Sequence, residues 1–189
     1  MTGVDRAFES SYNQNNGAVP CAGMKKGTRV QGGNMQLRLE PVTQENRLAV
    51  LGLRAGTGQE GFVETVSACL DEAAQRADWR PVAIYDGTAV VGFAMYGYFW
   101  EYPPAGRVWL DRLLIDAARQ GRGYGKAAVA SLLARLEEEY GPRDIYLSVV
   151  DGNTAAARLY EAFGFLFTEE RDVHGEHVML RPAAPVRGS

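Results

Sequence analysis

The segment from Arg107 to Val150 constrains the fold of this chain more than any other. It opens with a strongly apolar run, RVWLDRLLI, typical of a buried strand, and passes directly into the glycine-rich loop RQGRGYGKA. Apolar residues then recur at helical spacing until Gly141-Pro142 stops the helix, and DIYLSVV follows as another strand. The segment therefore predicts a strand, a loop, a helix and a strand in immediate succession.

Two helices and three strands are predicted before this segment. MQLRLEP, from Met35, alternates as a strand does, and Thr43 is the predicted N-cap of a helix through QENRLAVLGL. A second helical pattern extends from about Phe62 to Arg76. WRPVAIY and TAVVGFAMYGY, joined at Asp86-Gly87, predict an antiparallel hairpin.

The C-terminal part predicts a short helix and a closing hairpin. Asn153 is placed to cap the helix TAAARLYEAF, which ends at Gly164. FLFTEERDV and HVMLRP predict two strands around His174-Gly175. Helices and strands are thus mixed along the chain, which indicates an α/β domain of the α+β type.

Composition bounds the class of protein. With 189 residues, 46% hydrophobic and 23% charged, the chain suits one globular domain. A net charge of −3 and a pI near 5.5 argue against a nucleic-acid binder and leave room for a cationic partner. The only cysteines are Cys21 and Cys69, which fits a reducing compartment, so we expect a cytoplasmic protein. With no long apolar run and no signal-like start, we expect no membrane anchor.

The folded domain is expected over residues 35–182. Residues 1–34 are rich in Asn, Gly and Ser and show no hydrophobic period, so we expect a flexible leader or tail there. Met24 and Met35 are both possible alternative starts. Residues 183–189 are expected to be a flexible C-terminus.

The glycine loop predicts a site for phosphate groups. Backbone N–H groups from Gly121 to Lys126 would line a concavity at a helix N-terminus, where the helix dipole favours an anion, and Arg119 and Arg122 would add charge at the rim. The loop is not a nucleotide P-loop, because alanine follows the Gly-Lys pair. It is not a dinucleotide fingerprint either, because its glycines are evenly spaced and follow a hairpin. A glycine-rich turn with solvated basic residues is the alternative.

The loop sequence QGRGYG resembles the Q/R-x-x-G-x-G/A signature of the GNAT superfamily of acyl-CoA N-acyltransferases, at the same strand-to-helix junction. The chain from Met35 to Pro182 also looks like bacterial spermine/spermidine acetyltransferases within that superfamily. The similar stretches are ENRLAVLGL, ETVSACLDEA, WRPVAIY, VVGFAMYG, GRVWLDRLLID and YLSVVDGNTAAARLYEAFGF. The resemblance implies the GNAT fold: a central mixed, twisted sheet of about six to seven strands with a splayed parallel pair, flanked by helices.

The resemblance further implies acetyl-CoA as the co-substrate. RVWLDRLLI and DIYLSVV would be the parallel strands that splay apart, with the pantetheine arm bonding to the first of them much as an added strand would. The thioester would then end near Asp111 to Leu114. The residues expected to bind the cofactor are Leu113, Leu114, Ile115, Gln120, Gly121, Arg122, Gly123, Tyr124, Gly125, Lys126 and Asn153.

Acetylation of an amine needs a base, because a primary amine with a pKa of ~10 is almost wholly protonated at neutral pH. Asp111 matches the acidic position that takes this proton through water in related polyamine acetyltransferases. An ordinary salt bridge at Asp111 or Arg112 is the alternative interpretation. Glu101 is the reserve base.

The tetrahedral intermediate and the leaving thiolate need donors as well. The backbone N–H of Leu113 or Leu114, at a local bulge, would serve the oxyanion. Tyr160 stands seven residues after Asn153 and matches the family tyrosine that approaches the CoA sulfur. A phenol is protonated at pH 7 and can supply the proton, whereas a core position beside Phe163 is the alternative.

The expected acceptor is a polyamine or diamine. Glu64, which matches the family, would form an acidic, aromatic channel with Glu101, Trp109 and Asp111, together with further aromatic residues of the central hairpin. Solvated helix charges and hairpin core are the competing explanation. The further aromatic residues are Tyr96, Tyr98 and Trp100.

Other functions and partners stay open at this stage. The same fold could acetylate an antibiotic amine or a protein N-terminus, or could serve as a non-catalytic CoA-binding module. His174 and His177 lie three apart on a predicted hairpin without a further Cys or His, so we expect no metal. We expect a small-molecule amine substrate, no nucleic acid and, from the family, a homodimer.

Overall fold

The computed structural model describes residues 30–32 and 35–184, and a mixed β-sheet runs through this part of the chain. Its strands are β1 (Val30–Gly32), β2 (Met35–Pro41), β3 (Trp79–Asp86), β4 (Ala89–Phe99), β5 (Arg107–Ile115), β6 (Ile145–Val149), β7 (Leu166–Arg171) and β8 (His177–Arg181). Their order across the sheet is β1-β2-β3-β4-β5-β6-β8-β7. The expected mixed sheet is confirmed, with the three-residue β1 added at one edge before Met35. The expectations for residues 1–29, 33–34 and 185–189 lie outside the described residues.

Helices cover both faces of this sheet. Successive residues of a strand point to opposite faces of the sheet. On β3, Val82 and Ile84 belong to one hydrophobic core and Ala83 belongs to another, so both faces of the sheet are buried. The helices are α1 (Arg47–Leu51), α2 (Val66–Gln75), α3 (Tyr124–Tyr140) and α4 (Thr154–Glu161). The first core packs against α3 and α4, and the second packs against α1 and α2. Within the described ranges no helix combines the length and the hydrophobicity needed to cross a bilayer.

The parallel pair β5 and β6 splays as the resemblance implies. Within the described part of the chain, the two strands pair at Val108↔Ile145 and Trp109↔Tyr146. Beyond Trp109, β5 continues to Ile115 and pairs with β4 on its other side. The β6-facing edge of β5 is therefore free of strand pairing from about residue 110 onward, and a wedge opens between the strands.

A β-bulge lies on β5 beside this wedge. On β4, Tyr96 pairs with Leu110 and its neighbour Met95 pairs with Arg112, so Asp111 has no counterpart among the described β4 residues. A bulge bends a strand and redirects side chains near it. The extra residue is thus the acidic residue that the sequence singles out.

The N-terminal helices start later than the sequence patterns predict. The prediction that Thr43 caps α1 is wrong: the helix begins at Arg47, and Asn46 shapes the preceding turn. Oδ1 of Asn46 accepts from the Thr43 amide at 2.8 Å, and its Nδ2 donates to the Pro41 carbonyl at 3.0 Å. The second helix begins at Val66 rather than near Phe62, because Thr65 is its N-cap.

Candidate active site

The glycine loop turns the chain from β5 into α3 through left-handed backbone. Gly121 and Gly123 have φ values of 73° and 86°, which residues with a Cβ rarely adopt. A Cβ at either position would meet no atom of the described residues within 4 Å, so the backbone angle, not crowding, requires glycine there. Gly123 is the N-cap of α3, and no described side chain caps the first turn. The first amides of this 17-residue helix are thus uncapped and suited to an anion.

A cleft of about 300 Å³ runs from the glycine loop along the wedge between β5 and β6. Seven of the predicted cofactor residues line it, and so does Tyr160. Those seven are Leu113, Leu114, Ile115, Gln120, Gly121, Gly125 and Asn153. The cleft is referred to below as the cofactor cleft.

Gln120 fixes the glycine loop to its surroundings. Its Nε2 donates to the Ile115 carbonyl at 3.0 Å and to Oε1 of Gln59 at 2.8 Å. A Cβ on Gly56 would lie 2.6 Å from the Gln120 side-chain oxygen and 2.9 Å from that of Gln59, so a larger residue there would displace the ends of these two side chains. Gln59 and Gly56 carry no motif, and sequence reasoning missed both.

Four predicted cofactor residues do not line the cofactor cleft. Tyr124 is buried and its hydroxyl donates to Oδ2 of Asp86 at 2.6 Å, so it anchors α3 to the end of β3. Arg122, Gly123 and Lys126 are present at the loop but exposed. The side chains of Arg122 and Lys126 would reach a ligand at its phosphate end, and Gly123 would meet it through its backbone.

A smaller pocket joins the cofactor cleft to the opposite side of β5. Asp111 and Tyr160 both line it, together with Glu64 and Asn153. Ser148 and Glu176 line it as well, and the Ser148 hydroxyl donates to Oε2 of Glu176 at 2.7 Å. We call it the reaction pocket. Its members come from the α1–α2 loop, β5, β6, α4 with its N-cap, and the β7–β8 hairpin, so only the tertiary fold brings them together.

Tyr160 is held by the capped helix α4. Oδ1 of Asn153 accepts from the Ala156 amide at 3.2 Å, as the sequence predicts. The tyrosine is 8% exposed and meets Phe165 edge-on at 5.7 Å. Burial, with a smaller contribution from the Asp111 carboxylate, raises the pKa of the Tyr160 hydroxyl. The phenol is therefore protonated across the neutral range and can donate.

Asp111 is largely buried, with a side chain 15% exposed. Burial raises the pKa of its carboxyl to about 6, although the Arg112 guanidinium, whose Nη1 donates to Oδ2, lowers it. The carboxylates of Glu72 and Glu64 raise it further. Asp111 is thus mostly ionised at pH 7 and much more basic than an ordinary aspartate.

Glu64 reaches this group through Arg112. Nε of Arg112 lies 2.5 Å from Oε2 of Glu64 without pointing its N–H at that oxygen, so the contact is an ion pair. Nη2 of Arg112 lies 3.8 Å from Oε2 of Glu72. The salt bridge expected as an alternative therefore exists, and Glu64, Asp111 and Arg112 also line the reaction pocket.

Glu101 lies apart from the others. Its carboxylate accepts from Nη2 of Arg76 at 2.6 Å, whereas Glu64 and Asp111 line the reaction pocket and contact Arg112. Glu101 is therefore paired with a different arginine from the one that Glu64 and Asp111 share.

A third cleft, of about 310 Å³, opens on the α2 side of the sheet and contains Asp111 and Arg112. We call it the acceptor cleft. Trp109 lies in it between Tyr102 and Tyr146, at ring separations of 6.4 and 5.7 Å. The indole Nε1 of Trp109 is buried without a hydrogen-bond partner in the described structure.

The aromatic wall of the acceptor cleft differs from the one the sequence suggests. Tyr96 and Tyr98 pack on the opposite face of β4 towards α3, and Trp100 is 71% exposed. The aromatic residues that line the cleft with Trp109 are Trp79, Phe99 and Tyr102. Because side chains alternate along a strand, Tyr98 and Phe99 of β4 must point to opposite faces of the sheet. This alternation predicts that Phe99, and not Tyr98, lies on the side of the acceptor cleft.

The charges in the acceptor cleft are largely paired. Arg107 donates to both carboxylate oxygens of Glu170, at 2.7 and 3.1 Å. Oδ1 of Asp172 accepts from the amides of His174 and Glu176, which makes the tight turn between β7 and β8. Among the described residues no group of three or more His, Cys, Asp or Glu side chains could hold a metal ion.

This geometry, a left-handed glycine loop before an uncapped helix and a wedge between parallel strands, is that of an acyl-CoA transferase. Residues 57–165 match the model of the acetyltransferase (GNAT) family, and the chain belongs to that family. The family uses acetyl-CoA as a co-substrate, and the protein is an acetyl-CoA-dependent N-acetyltransferase.

Named relatives and solved structures agree with this assignment. The chain is 42% identical over 150 residues to a spermine/spermidine N(1)-acetyltransferase of Bacillus subtilis strain 168, covering 78% of this chain and 99% of the relative. An L-2,4-diaminobutyric acid acetyltransferase of Streptomyces avermitilis is 37% identical over 78 residues, 41% of this chain and 42% of that relative.

Among solved structures, Mycobacterium smegmatis RimJ in complex with CoA-disulfide superposes with a TM-score of 0.64 at 18% identity, covering 87% of this chain and 90% of that one. The GNAT domain of S. lividans PAT gives a TM-score of 0.61 at 15% identity, covering 77% of this chain and 89% of that one. At these identities the likeness shows the shared fold.

Proposed function

We propose that the protein transfers the acetyl group of acetyl-CoA to a primary amine of a polyamine or diamine. The observation that carries the proposal is the reaction pocket, where Asp111 and Tyr160 line one space between the cofactor cleft and the acceptor cleft. The B. subtilis relative, a spermine/spermidine N(1)-acetyltransferase by name, supports the choice of acceptor.

The cofactor would lie along the splayed strand. The amides from Gly121 to Lys126 would bind the pyrophosphate, with Arg119, Arg122 and Lys126 around it. The pantetheine arm would bond to the unpaired edge of β5 as far as the reaction pocket. Asn153 would both cap α4 and touch the cofactor, since its side chain lines the cofactor cleft.

The chemistry then divides between the two sides of the pocket. Asp111 accepts a proton from the acceptor ammonium, directly or through water, and the freed amine nitrogen attacks the thioester carbon. The backbone N–H of Leu113 or Leu114 stabilises the oxyanion as the C–N bond forms. The C–S bond breaks and the Tyr160 hydroxyl protonates the leaving thiolate. The second proton of the attacking nitrogen passes to the resulting phenolate, and solvent takes the first proton from Asp111, so one proton is released for each turnover.

Asp111 is a better candidate for the base than Glu101. Asp111 lines the same pocket as Tyr160 and has a pKa near neutrality, whereas Glu101 forms an ion pair with Arg76 at 2.6 Å. A base with a pKa of about 6 is still mostly ionised at pH 7, and it accepts a proton from an ammonium more readily than an ordinary aspartate does.

The charge around Arg112 favours an acceptor with more than one ammonium group. Three carboxylates, from Glu64, Glu72 and Asp111, surround one guanidinium, which leaves an excess of two negative charges. The side chains of Glu64 and Glu72 are 49% and 42% exposed, so both can reach a ligand. The rings of the acceptor cleft would cover the methylene chain between the ammonium groups.

We also propose a homodimer in the cytoplasm with a small-molecule amine as substrate and no nucleic-acid partner. Leu166 and Phe167 are 65% and 48% exposed on the edge strand β7, which supports an interface between two copies. The net charge of −3 argues against nucleic acid.

The test is a panel of acceptors incubated with acetyl-CoA, in which both thiol release and product mass are measured. The panel contains spermidine, spermine, an aminoglycoside and a peptide with a free N-terminus. Acetylated spermidine or spermine as the main product supports the proposal. A main product from the aminoglycoside or the peptide assigns the same site to another amine, and acetyl-CoA binding without any product supports a CoA-binding module.

A further inference from the structure

The one arginine among the three carboxylates lies directly beside the proposed base. We propose that Arg112 is a positioning residue for Asp111: its guanidinium holds the carboxylate ionised and facing the reaction pocket, while Glu72 and Glu64 hold the guanidinium. The inference rests on the proposed function only in that Asp111 is the base there.

The contacts of Arg112 are those of a central clamp. Its side chain is 13% exposed and contacts three acids through three different nitrogens: Nη1 with Asp111, Nε with Glu64 and Nη2 with Glu72. Arg112 lines both the reaction pocket and the acceptor cleft. Glu64 and Glu72 hold the guanidinium from the α2 side of the sheet. Because the guanidinium is held there, its contact with Asp111 fixes the position of the Asp111 carboxylate.

The bulge explains why two consecutive strand residues can meet. Neighbouring side chains of a regular strand point to opposite faces of the sheet. Because Asp111 has no counterpart on β4, Asp111 and Arg112 depart from this alternation, and Nη1 of Arg112 donates to Oδ2 of Asp111. The local backbone therefore builds the pair.

Three titratable groups near Asp111, the Cys69 thiol and the Tyr160 and Tyr102 phenols, stay protonated at neutral pH, while Glu176, Glu170 and Asp172 face the reaction pocket or the acceptor cleft from the β7–β8 hairpin. Burial raises the pKa of Cys69 to about 11, and it raises the pKa values of Tyr160 and Tyr102. Glu176, from the β7–β8 hairpin, accepts a hydrogen bond from Ser148. At Asp111, burial and the two anions Glu72 and Glu64 raise the pKa, and one cation, Arg112, opposes them.

The opposite signs of these charges give a test that a structural role would not pass. The ionisation of Asp111 is followed by carbon NMR in the free protein, with the signal assigned by its loss in Asp111→Asn. Arg112→Gln removes the cation, so the midpoint should rise from about 6 by about one pH unit or more. Glu72→Gln removes an anion and keeps an oxygen for the Trp79 indole, so the midpoint should fall.

Arg112→Lys keeps the positive charge but loses the planar guanidinium with its several N–H donors. This variant is also the substitute measurement if Arg112→Gln does not fold. Its midpoint should stay close to that of the wild type, while kcat for amine acetylation falls. The proposal is overturned if the wild type, Arg112→Gln and Glu72→Gln all have the same midpoint. It is also overturned if the midpoints of the two variants shift in the same direction. Where Arg112→Gln does not fold, a Glu72→Gln midpoint equal to that of the wild type overturns it. Because the titration needs no turnover, absence of acetylation with shifted midpoints counts against the proposed function alone.

Discussion

At the scale of single residues, Tyr160 and Asp111 differ in what burial does for them. Burial keeps the Tyr160 phenol protonated, which suits a donor, and it brings the carboxyl of Asp111 close to neutrality, which suits an acceptor. Two groups in one pocket are thus driven towards complementary roles by the same physical cause. A salt-bridge residue at an exposed position would show neither effect.

Tyr160→Phe should lower kcat by about 100-fold or more while the affinity for acetyl-CoA changes little, because the proton for the thiolate is needed only as the C–S bond breaks. Steady-state kinetics and calorimetric binding measure the two effects. Tyr96→Phe is the matched control, since its hydroxyl bonds Glu139 at 2.8 Å outside the three clefts. A Tyr160→Phe enzyme with wild-type kcat would make the tyrosine a core residue.

Asp111→Asn should remove turnover yet raise the melting temperature at pH 7. The pKa of Asp111 in the folded state, about 6, lies above its ordinary value of 3.8, so the free energy of unfolding falls as the pH rises from the ordinary pKa to the folded-state pKa. The difference in Tm between Asn and Asp should therefore be small at pH 4 and largest above pH 6. Thermal unfolding at several pH values measures it, and a pH-independent difference would contradict the raised pKa.

At the scale of elements, the glycine loop and the splayed pair were within reach of sequence reasoning because each depends on local features. Glycine spacing, an apolar strand and a helical period identify the loop, and the family resemblance supplies the splay. The start of α1 was not within reach, because it depends on Asn46 bonding back to Pro41 and Thr43. The two hydrogen bonds of the Asn46 side chain place the helix start at Arg47, although Thr43 is a residue type that is also favoured as an N-cap.

Gly121→Ala and Gly123→Ala should each weaken acetyl-CoA binding and cost about 1–2 kcal/mol of stability, because a left-handed φ is strained for alanine. Gly87→Ala is the matched control: it has the same kind of strain at φ 59° in the β3–β4 turn, away from the cofactor cleft. It should lose similar stability without losing affinity. Calorimetric titration with acetyl-CoA separates the cases, and equal affinity losses in all three variants would mean that the loop does not bind the cofactor.

At the scale of the whole molecule, the full set of residues that line the acceptor cleft could not be predicted from the sequence. Its lining comes from α2, β3, β4, β5 and the β7–β8 hairpin, and β8 inserts beside β6 so that the hairpin reaches the cleft. Glu170 and Asp172 arrive there only through this topology, and Glu101 turns to Arg76 instead of Asp111. Sequence spacing reports neighbours along the chain, whereas this cleft joins residues about 100 positions apart.

Acetyl-CoA should stabilise the whole folded chain without added metal. At about 100 times its Kd a ligand adds about 2.7 kcal/mol, which for a chain of this size is about 5–10 °C in Tm. S-acetylpantetheine, which lacks the phosphates, should give a much smaller shift at the same concentration. Equal shifts from the two thioesters would contradict a phosphate site at the glycine loop.

The most direct test of the central claim is the ratio of kcat/KM for spermidine to that for butylamine, measured at two salt concentrations. The excess of two negative charges around Arg112 should favour the polycation by about fivefold for each extra ammonium, since each partly exposed contact contributes about 1 kcal/mol. The ratio should shrink at high salt and in Glu64→Gln and Glu72→Gln. Equal kcat/KM values for the two amines, insensitive to salt and to both variants, would contradict a polyamine acceptor while leaving the acetyltransferase fold in place.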